Sequence, residues 1–184
     1  MWLFWILAAI AVITLFYLRP EKLERYDAPA GQSFLGGNGT DEEHEEVVAS
    51  LASGMGPIQR APRSERLGLM RQYMDGIAAN QDIQAEVVPT HIAGMKAEWV
   101  MAPRVSLTRR ALYIHGGAFV MGSPTSHRNI TSSFSREANA AVLVIDYRLM
   151  PENRRLAGVE DCRMAYRWIL QNGPEGLAIA ERIY

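Results

Sequence analysis

Leu112-Tyr113-Ile114-His115-Gly116-Gly117-Ala118-Phe119-Val120 carries an apolar run straight into a His-Gly-Gly turn. A short apolar run ended by paired glycines reads as a strand closing on a tight turn. Glycine allows φ > 0 and has no Cβ to obstruct a ligand, so successive N–H groups in such a turn can face the same way. Donors held like this suit the negative oxygen that forms when a carbonyl is attacked. An ordinary strand-end turn accounts for the same residues, and both readings stand on this stretch alone.

The 184 residues suffice for one domain whose core buries about two-thirds of its chain surface. Nineteen Lys+Arg against 20 Asp+Glu leave a net charge of -1, and no basic stripe with interleaved aromatics stands out. Nucleic acid is therefore not an expected partner. The single cysteine, Cys162, excludes an intramolecular disulfide framework and fits a reducing compartment. It sits in a helical pattern and reads as core filler rather than nucleophile. His44, His91, His115 and His127 have no zinc-like spacing, so neither metal nor cofactor is expected.

Trp2 to Leu18 carry no charge, and Thr14 is the only polar side chain among them. About 17 residues rising roughly 1.5 Å each reach roughly 26 Å, the short end for crossing a bilayer. Trp2, Trp5 and Tyr17 sit near the two ends, where aromatic rings favour the interface. A cleaved signal peptide normally has a basic leader and a small-x-small cleavage site, and neither precedes Arg19-Pro20. An uncleaved single-pass anchor over residues 2–18 is the expectation. Arg19, Lys22 and Arg25 follow it, which places the C-terminal bulk in the cytoplasm.

Residues 28–39 are rich in Gly and Pro and read as a flexible tether. Their glycines fit neither a phosphate-binding loop nor a dinucleotide fingerprint. Thr40 and Glu43 form a capping box for a helix expected to stop at Gly54. Pro62 suits the first turn of a second helix, with Leu67, Met70, Met74 and Ile77 on one apolar face. A hairpin is expected over 85–92 and 96–101, turning near Ala93-Gly94, with His91 a structural residue on it. The strand over 110–114 follows, then a helix over 123–138 with His127 on its surface. Ala140 to Ile145 is almost wholly apolar, as in a parallel strand covered on both faces. A helix over 156–172 places Val159, Cys162, Tyr166 and Ile169 on one side and ends at Gly173-Pro174, and a strand begins at Glu181. Hairpin, strand, helix, strand, helix, strand implies an α/β protein with right-handed crossovers and a mixed sheet.

Asp146-Tyr147-Arg148-Leu149-Met150-Pro151-Glu152 leaves the end of the buried strand, and Asp161 follows early in the next helix. An Arg148–Asp161 ion pair pinning the loop is expected. The two motifs in this order, with Glu160-Asp161 downstream, resemble the hormone-sensitive-lipase-like branch of the α/β-hydrolases. The resemblance spans roughly residues 40–184 and extends to membrane-anchored members of the arylacetamide-deacetylase kind. It implies an α/β-hydrolase-type fold with a mixed, mostly parallel sheet and a helical cap. Domains follow as an anchor over 1–19, a linker over 20–39, a cap over 40–82 and the first half of the hydrolase domain over 83–184. The implied activity is hydrolysis of small-acyl or lipophilic carboxylic esters. Gly116, Gly117 and Ala118 would form the oxyanion hole, with His115 supporting the loop. Asp146, Tyr147, Arg148, Pro151, Glu152 and Asp161 would be the structural motif. Ala118 stands where the family has a third glycine, and Asn153-Arg154-Arg155-Leu156 replaces its Pro-Phe-Pro run.

The family's Gly-x-Ser-x-Gly nucleophile elbow is missing, since no serine here has glycine two residues away on both sides. No Asp and His follow in the family's order either. The chain is therefore expected to be a fragment truncated before the elbow and inactive alone, with strands 140–145 and 182–184 left with unpaired edges. The alternative is a non-catalytic membrane-anchored pseudoenzyme or binding module.

Overall fold

The computed structural model describes residues 42–79 and 82–184, together with Trp2, Trp5, Ile6, Ile10, Val12 and Thr14. The chain divides into two compact units, Met1–Glu45 and Glu46–Tyr184. The six early positions are helical. Most of the expected anchor, the whole tether and the Thr40 end of the capping box lie outside the described residues. Among the described residues no helix is long and apolar enough to cross a membrane.

Helix α1 (Glu42–Arg60) is followed by α2 (Arg63–Ala79), the hairpin strands β1 (Glu86–Ile92) and β2 (Met95–Met101), and β3 (Arg109–Tyr113). A 3-10 turn (Thr125–His127) leads into α3 (Arg128–Ala138), then β4 (Ala141–Ile145) and α4 (Arg155–Ile169). Two short strands, β5 (Asn172–Gly173) and β6 (Gly176–Leu177), precede β7 (Arg182–Ile183). The sheet order is β1-β2-β4-β3-β7. β1 with β2 and β2 with β4 are antiparallel, while β3 runs parallel to both β4 and β7.

All five β4 residues are fully shielded, which corrects the expectation of an unpaired edge there. β4 lies between β2 and β3, and of the two strands expected to be unpaired β7 alone stands at a rim, with β1 at the other. Alternate β4 side chains serve opposite faces, as a period of two requires. Ala141, Leu143 and Ile145 join Trp99, Ala165 and Ile169, whereas Val142 and Val144 join Val100 and Ala111. Each buried Val or Leu is worth about 1.5–3 kcal/mol, so the centre of the sheet is its most stable part. Pro89 is tolerated because β1 is the opposite edge. Ala93 and Gly94, with φ of 48° and 88°, turn the hairpin at the expected place.

Several boundaries differ from expectation. α1 runs through Gly54 to Arg60, with Pro57 inside it. Gly54 is a packing notch rather than a stop: a Cβ there would lie 2.2 Å from the Tyr73 ring of α2. Ile77 on α2 is exposed. The buried face of α4 is Gly158, Asp161, Ala165 and Ile169. Of the stripe expected there, only Ile169 is buried; Val159, Cys162 and Tyr166 line an open groove with Leu112 and Ile114. α4 ends at Ile169, and the residues after it form the small β5–β6 hairpin.

Candidate active site

β3 and β4 are parallel neighbours, with Tyr113 opposite Val144. The loops that leave them therefore emerge side by side at the carboxyl end of the sheet, where open α/β sheets place ligands. His115 is the second residue of the first loop and Tyr147 the second residue of the other. The Tyr147 hydroxyl donates to the His115 carbonyl at 2.9 Å, and the two rings stack with centroids 4.3 Å apart. Both side chains are buried. Burial lowers the His115 pKa below the ordinary imidazole value and raises that of the Tyr147 phenol. His115 Nδ1 bonds the Gly116 carbonyl at 2.9 Å, while Nε2 is buried with no hydrogen-bond partner among the described residues.

The glycine loop is held by two hydrogen bonds to one carbonyl: Val120 N–H and Met121 N–H both donate to Gly117 O at 3.0 Å. Gly117 has φ of +121°, and the next two residues, Ala118 and Phe119, are also left-handed at 54° and 63°. Gly116 is not in this region, so its conformational freedom is not what the turn uses. The missing Cβ matters at Gly117, where one would lie 2.1 Å from Met121 O. It matters equally at Gly122 (φ +90°), where a Cβ would fall 2.3 Å from Gly116 O and 2.5 Å from His115 Nδ1. Gly122 was not singled out from sequence, though a lone glycine closing Phe119-Val120-Met121 was the available signal. Among the described residues, the amides of Gly116, Gly117 and Ala118 donate to no protein acceptor. They lie beyond the end of β3 and outside its ladder. Gly116 and Ala118 are exposed.

Arg148 and Asp161 form the expected pair. Arg148 Nη2 meets Asp161 Oδ1 at 2.8 Å, and both Nε and the Arg148 backbone amide donate to Oδ2 at 2.9 Å. The carboxylate raises the Arg148 pKa through these bonds. Asp146 faces the hairpin, its amide donating to Lys96 O at 2.9 Å. Partial desolvation of its carboxyl raises the pKa, against the pull of His115 and Lys96. Beyond Glu152, Asn153 N–H returns to Leu149 O at 3.0 Å and α4 begins at Arg155.

His127 is not on the surface. It is half-buried, 5.6 Å from the His115 ring and 5.8 Å from that of Tyr113, with Nδ1 2.9 Å from Ser126 Oγ. Two further contacts have no motif behind them. Arg71 of α2 bonds Val120 O, Met150 O and both oxygens of Glu152. Arg128 grips the buried Glu98 at 2.7 and 2.9 Å. Among the described residues no group of three or more His, Cys, Asp or Glu is placed to hold a metal ion.

Residues 111–184, which hold both strand-end loops, match the family model described as α/β hydrolase fold. The chain is similar to an acetyl-hydrolase of Streptomyces hygroscopicus, 47% identical over 77 residues, covering 42% of this chain and 25% of that protein. It is 41% identical over 90 residues to the carboxylesterase/phospholipase LipF of Mycobacterium tuberculosis, covering 46% and 24%. A crystal structure of an esterase from the bacterial hormone-sensitive lipase family matches with a TM-score of 0.61 at 31% identity, covering 72% of this chain and 44% of that one. Residues 111–184 thus match the α/β-hydrolase family, and the solved structures that the chain resembles include an esterase of the bacterial hormone-sensitive lipase family. The chain spans about a quarter of the length of the curated relatives it matches and under half of that solved chain.

Proposed function

We propose that this chain supplies the oxyanion-stabilising part of a carboxylic-ester hydrolase acting on small-acyl or lipophilic esters. The observation that carries this reading is the set of three unspent amides, Gly116, Gly117 and Ala118, at the carboxyl end of parallel strands. When a nucleophile attacks an acyl carbonyl, its oxygen gains negative charge, and preorganised N–H donors stabilise that charge more than the ground-state carbonyl. Two relatives, the acetyl-hydrolase and an ethyl acetate hydrolase of Pseudomonas putida, favour small acyl groups. His115 supports the loop from below through the Gly116 carbonyl, and the Asp146–Glu152 loop with Asp161 braces it from the side.

No serine of the sequence stands in a Gly-x-Ser-x-Gly elbow, so the 184-residue chain alone should hydrolyse p-nitrophenyl acetate at background rates. The product of the reading frame followed past the Tyr184 codon should turn it over. Disturbing one oxyanion donor should then cost on the order of a hundredfold or more in kcat. An in-frame stop with no remnant of the elbow would sink this reading in favour of a non-catalytic binding module.

The apolar run over 2–18 is proposed to anchor the protein in a membrane, with the hydrolase part on the cytoplasmic side. Helical positions carrying exposed Trp2, Ile10 and Val12 are consistent with this. Carbonate extraction of membranes should leave the full chain in the pellet and release a chain lacking residues 1–19. Protease protection in sealed vesicles reports the side.

A further inference from the structure

One guanidinium ties together both strand-end loops. Arg71 Nε donates to Val120 O at 2.8 Å in the loop after β3. Its Nη2 donates to Met150 O at 2.9 Å in the loop after β4, and Nη1 and Nη2 reach the Glu152 carboxylate at 2.8 and 3.0 Å. The same two loops are also joined directly, Met150 N–H donating to Phe119 O at 2.8 Å. Four residues further along α2, on the same helical face, Asp75 accepts from the Ser123 hydroxyl. The helix therefore grips the glycine loop on both sides of Gly122.

Val120 is the residue through which this grip reaches the amides. Its carbonyl is held by Arg71, and its N–H, with that of Met121, is bonded to Gly117 O. Between them stand Ala118 and Phe119, two side-chain-bearing residues in the left-handed region. Such conformations cost free energy and persist only where their surroundings over-determine them. The planar fork of arginine meets carboxylate and carbonyl oxygens in fixed geometry, which lysine cannot reproduce. Bonding by Arg71 holds the Glu152 carboxylate down at about 2, so the clamp is charged throughout the neutral range.

We propose that Arg71 is a positioning residue for the oxyanion loop, holding Val120 and Met150 so that the amides of Gly117 and Ala118 keep their direction. The seating of α2 thereby sets the geometry of a loop some fifty residues downstream in sequence. The purpose of that geometry rests on the esterase reading, but the ordering of the loop does not.

Amide hydrogen exchange on the 184-residue chain separates the two. Arg71→Gln should speed exchange at Val120 and Met121 on the order of tenfold or more, leaving Val142 to Val144 in β4 at wild-type rates. Arg71→Lys should recover only part of the protection. Glu152→Gln, which keeps the bonds to Val120 O and Met150 O, should give a smaller acceleration at the same amides and decides the matter if Arg71→Gln does not fold. Wild-type rates at Val120 and Met121 in the folded variants would overturn the proposal. So would a uniform acceleration that includes β4, because a merely structural arginine loosens the whole domain. In a form that hydrolyses p-nitrophenyl butyrate, Arg71→Gln should lower kcat more than it raises KM. A loosened loop in a protein with no esterase activity would sink the enzyme reading and leave this one standing.

Discussion

The Tyr147 hydroxyl donates to the His115 backbone carbonyl at 2.9 Å, joining the second residues of two loops, 32 positions apart in sequence. The bond exists because β3 and β4 are parallel neighbours in register, so what leaves one strand lies beside what leaves the other. Tyr147→Phe keeps the stacked ring and removes only the donor, leaving a carbonyl in a buried residue short of its partner. That should cost about 1–2 kcal/mol, read from urea denaturation. An unchanged midpoint would mean that water satisfies the carbonyl and the bond is dispensable.

His115 makes stability depend on pH. Its folded-state pKa lies below the ordinary imidazole value because burial disfavours the charged ring, with His127 adding to the effect. The unfolded chain binds the proton more readily, so stability is full above about 6.5 and falls as the pH drops below it. Melting temperatures between pH 8 and 5 should show this decline. His115→Asn, whose amide can still donate to Gly116 O, should flatten it.

How much of this was legible in advance follows from what each residue depends on. The hairpin turn at Ala93-Gly94, the apolar run of β4 and the two motifs are local signals, set by side-chain period and by glycine, and the structure has them where the sequence puts them. The Arg148–Asp161 pair could be anticipated because strand end and helix start are adjacent in sequence. Arg71 could not, since its partners lie 49 to 81 residues away and nothing in the sequence around a helical arginine announces them. Gly54 misled for the same reason: its role is set by Tyr73 on another helix, and a local rule read it as a stop. The buried face of α4 was misjudged because the groove beside Leu112 and Ile114 is open, so an apolar stripe faces solvent there while Asp161 turns inward.

The glycines of the loop should not respond alike. Gly117→Ala and Gly122→Ala each place a Cβ within 2.5 Å of a backbone carbonyl, at positive φ. Each should destabilise by about 1–3 kcal/mol. At Gly116 the nearest atom to an added Cβ is His127 Nε2 at 4.0 Å, so Gly116→Ala should melt within a degree or two of wild type. A Gly117→Ala variant as stable as Gly116→Ala would show that the loop backbone differs from the one described.

Arg148 and Asp161 share a bidentate pair, but the two ends sit in different surroundings: the Asp161 side chain is 5% exposed and that of Arg148 is 49% exposed. Removing one partner is costly chiefly when it strands a charge away from water. Arg148→Ala does so, leaving the Asp161 carboxylate with only the Arg148 backbone amide as donor. Asp161→Asn instead frees a guanidinium that water can reach, while the new side-chain oxygen can still accept from that amide. Thermal unfolding should therefore rank Arg148→Ala below Asp161→Asn. The double variant should sit close to Asp161→Asn rather than at the sum of the two losses, as expected for partners in direct contact. Equal and additive losses would mean that the carboxylate is solvated, and an unchanged melting temperature in Arg148→Ala would remove the pair from any part in holding the Asp146–Glu152 loop.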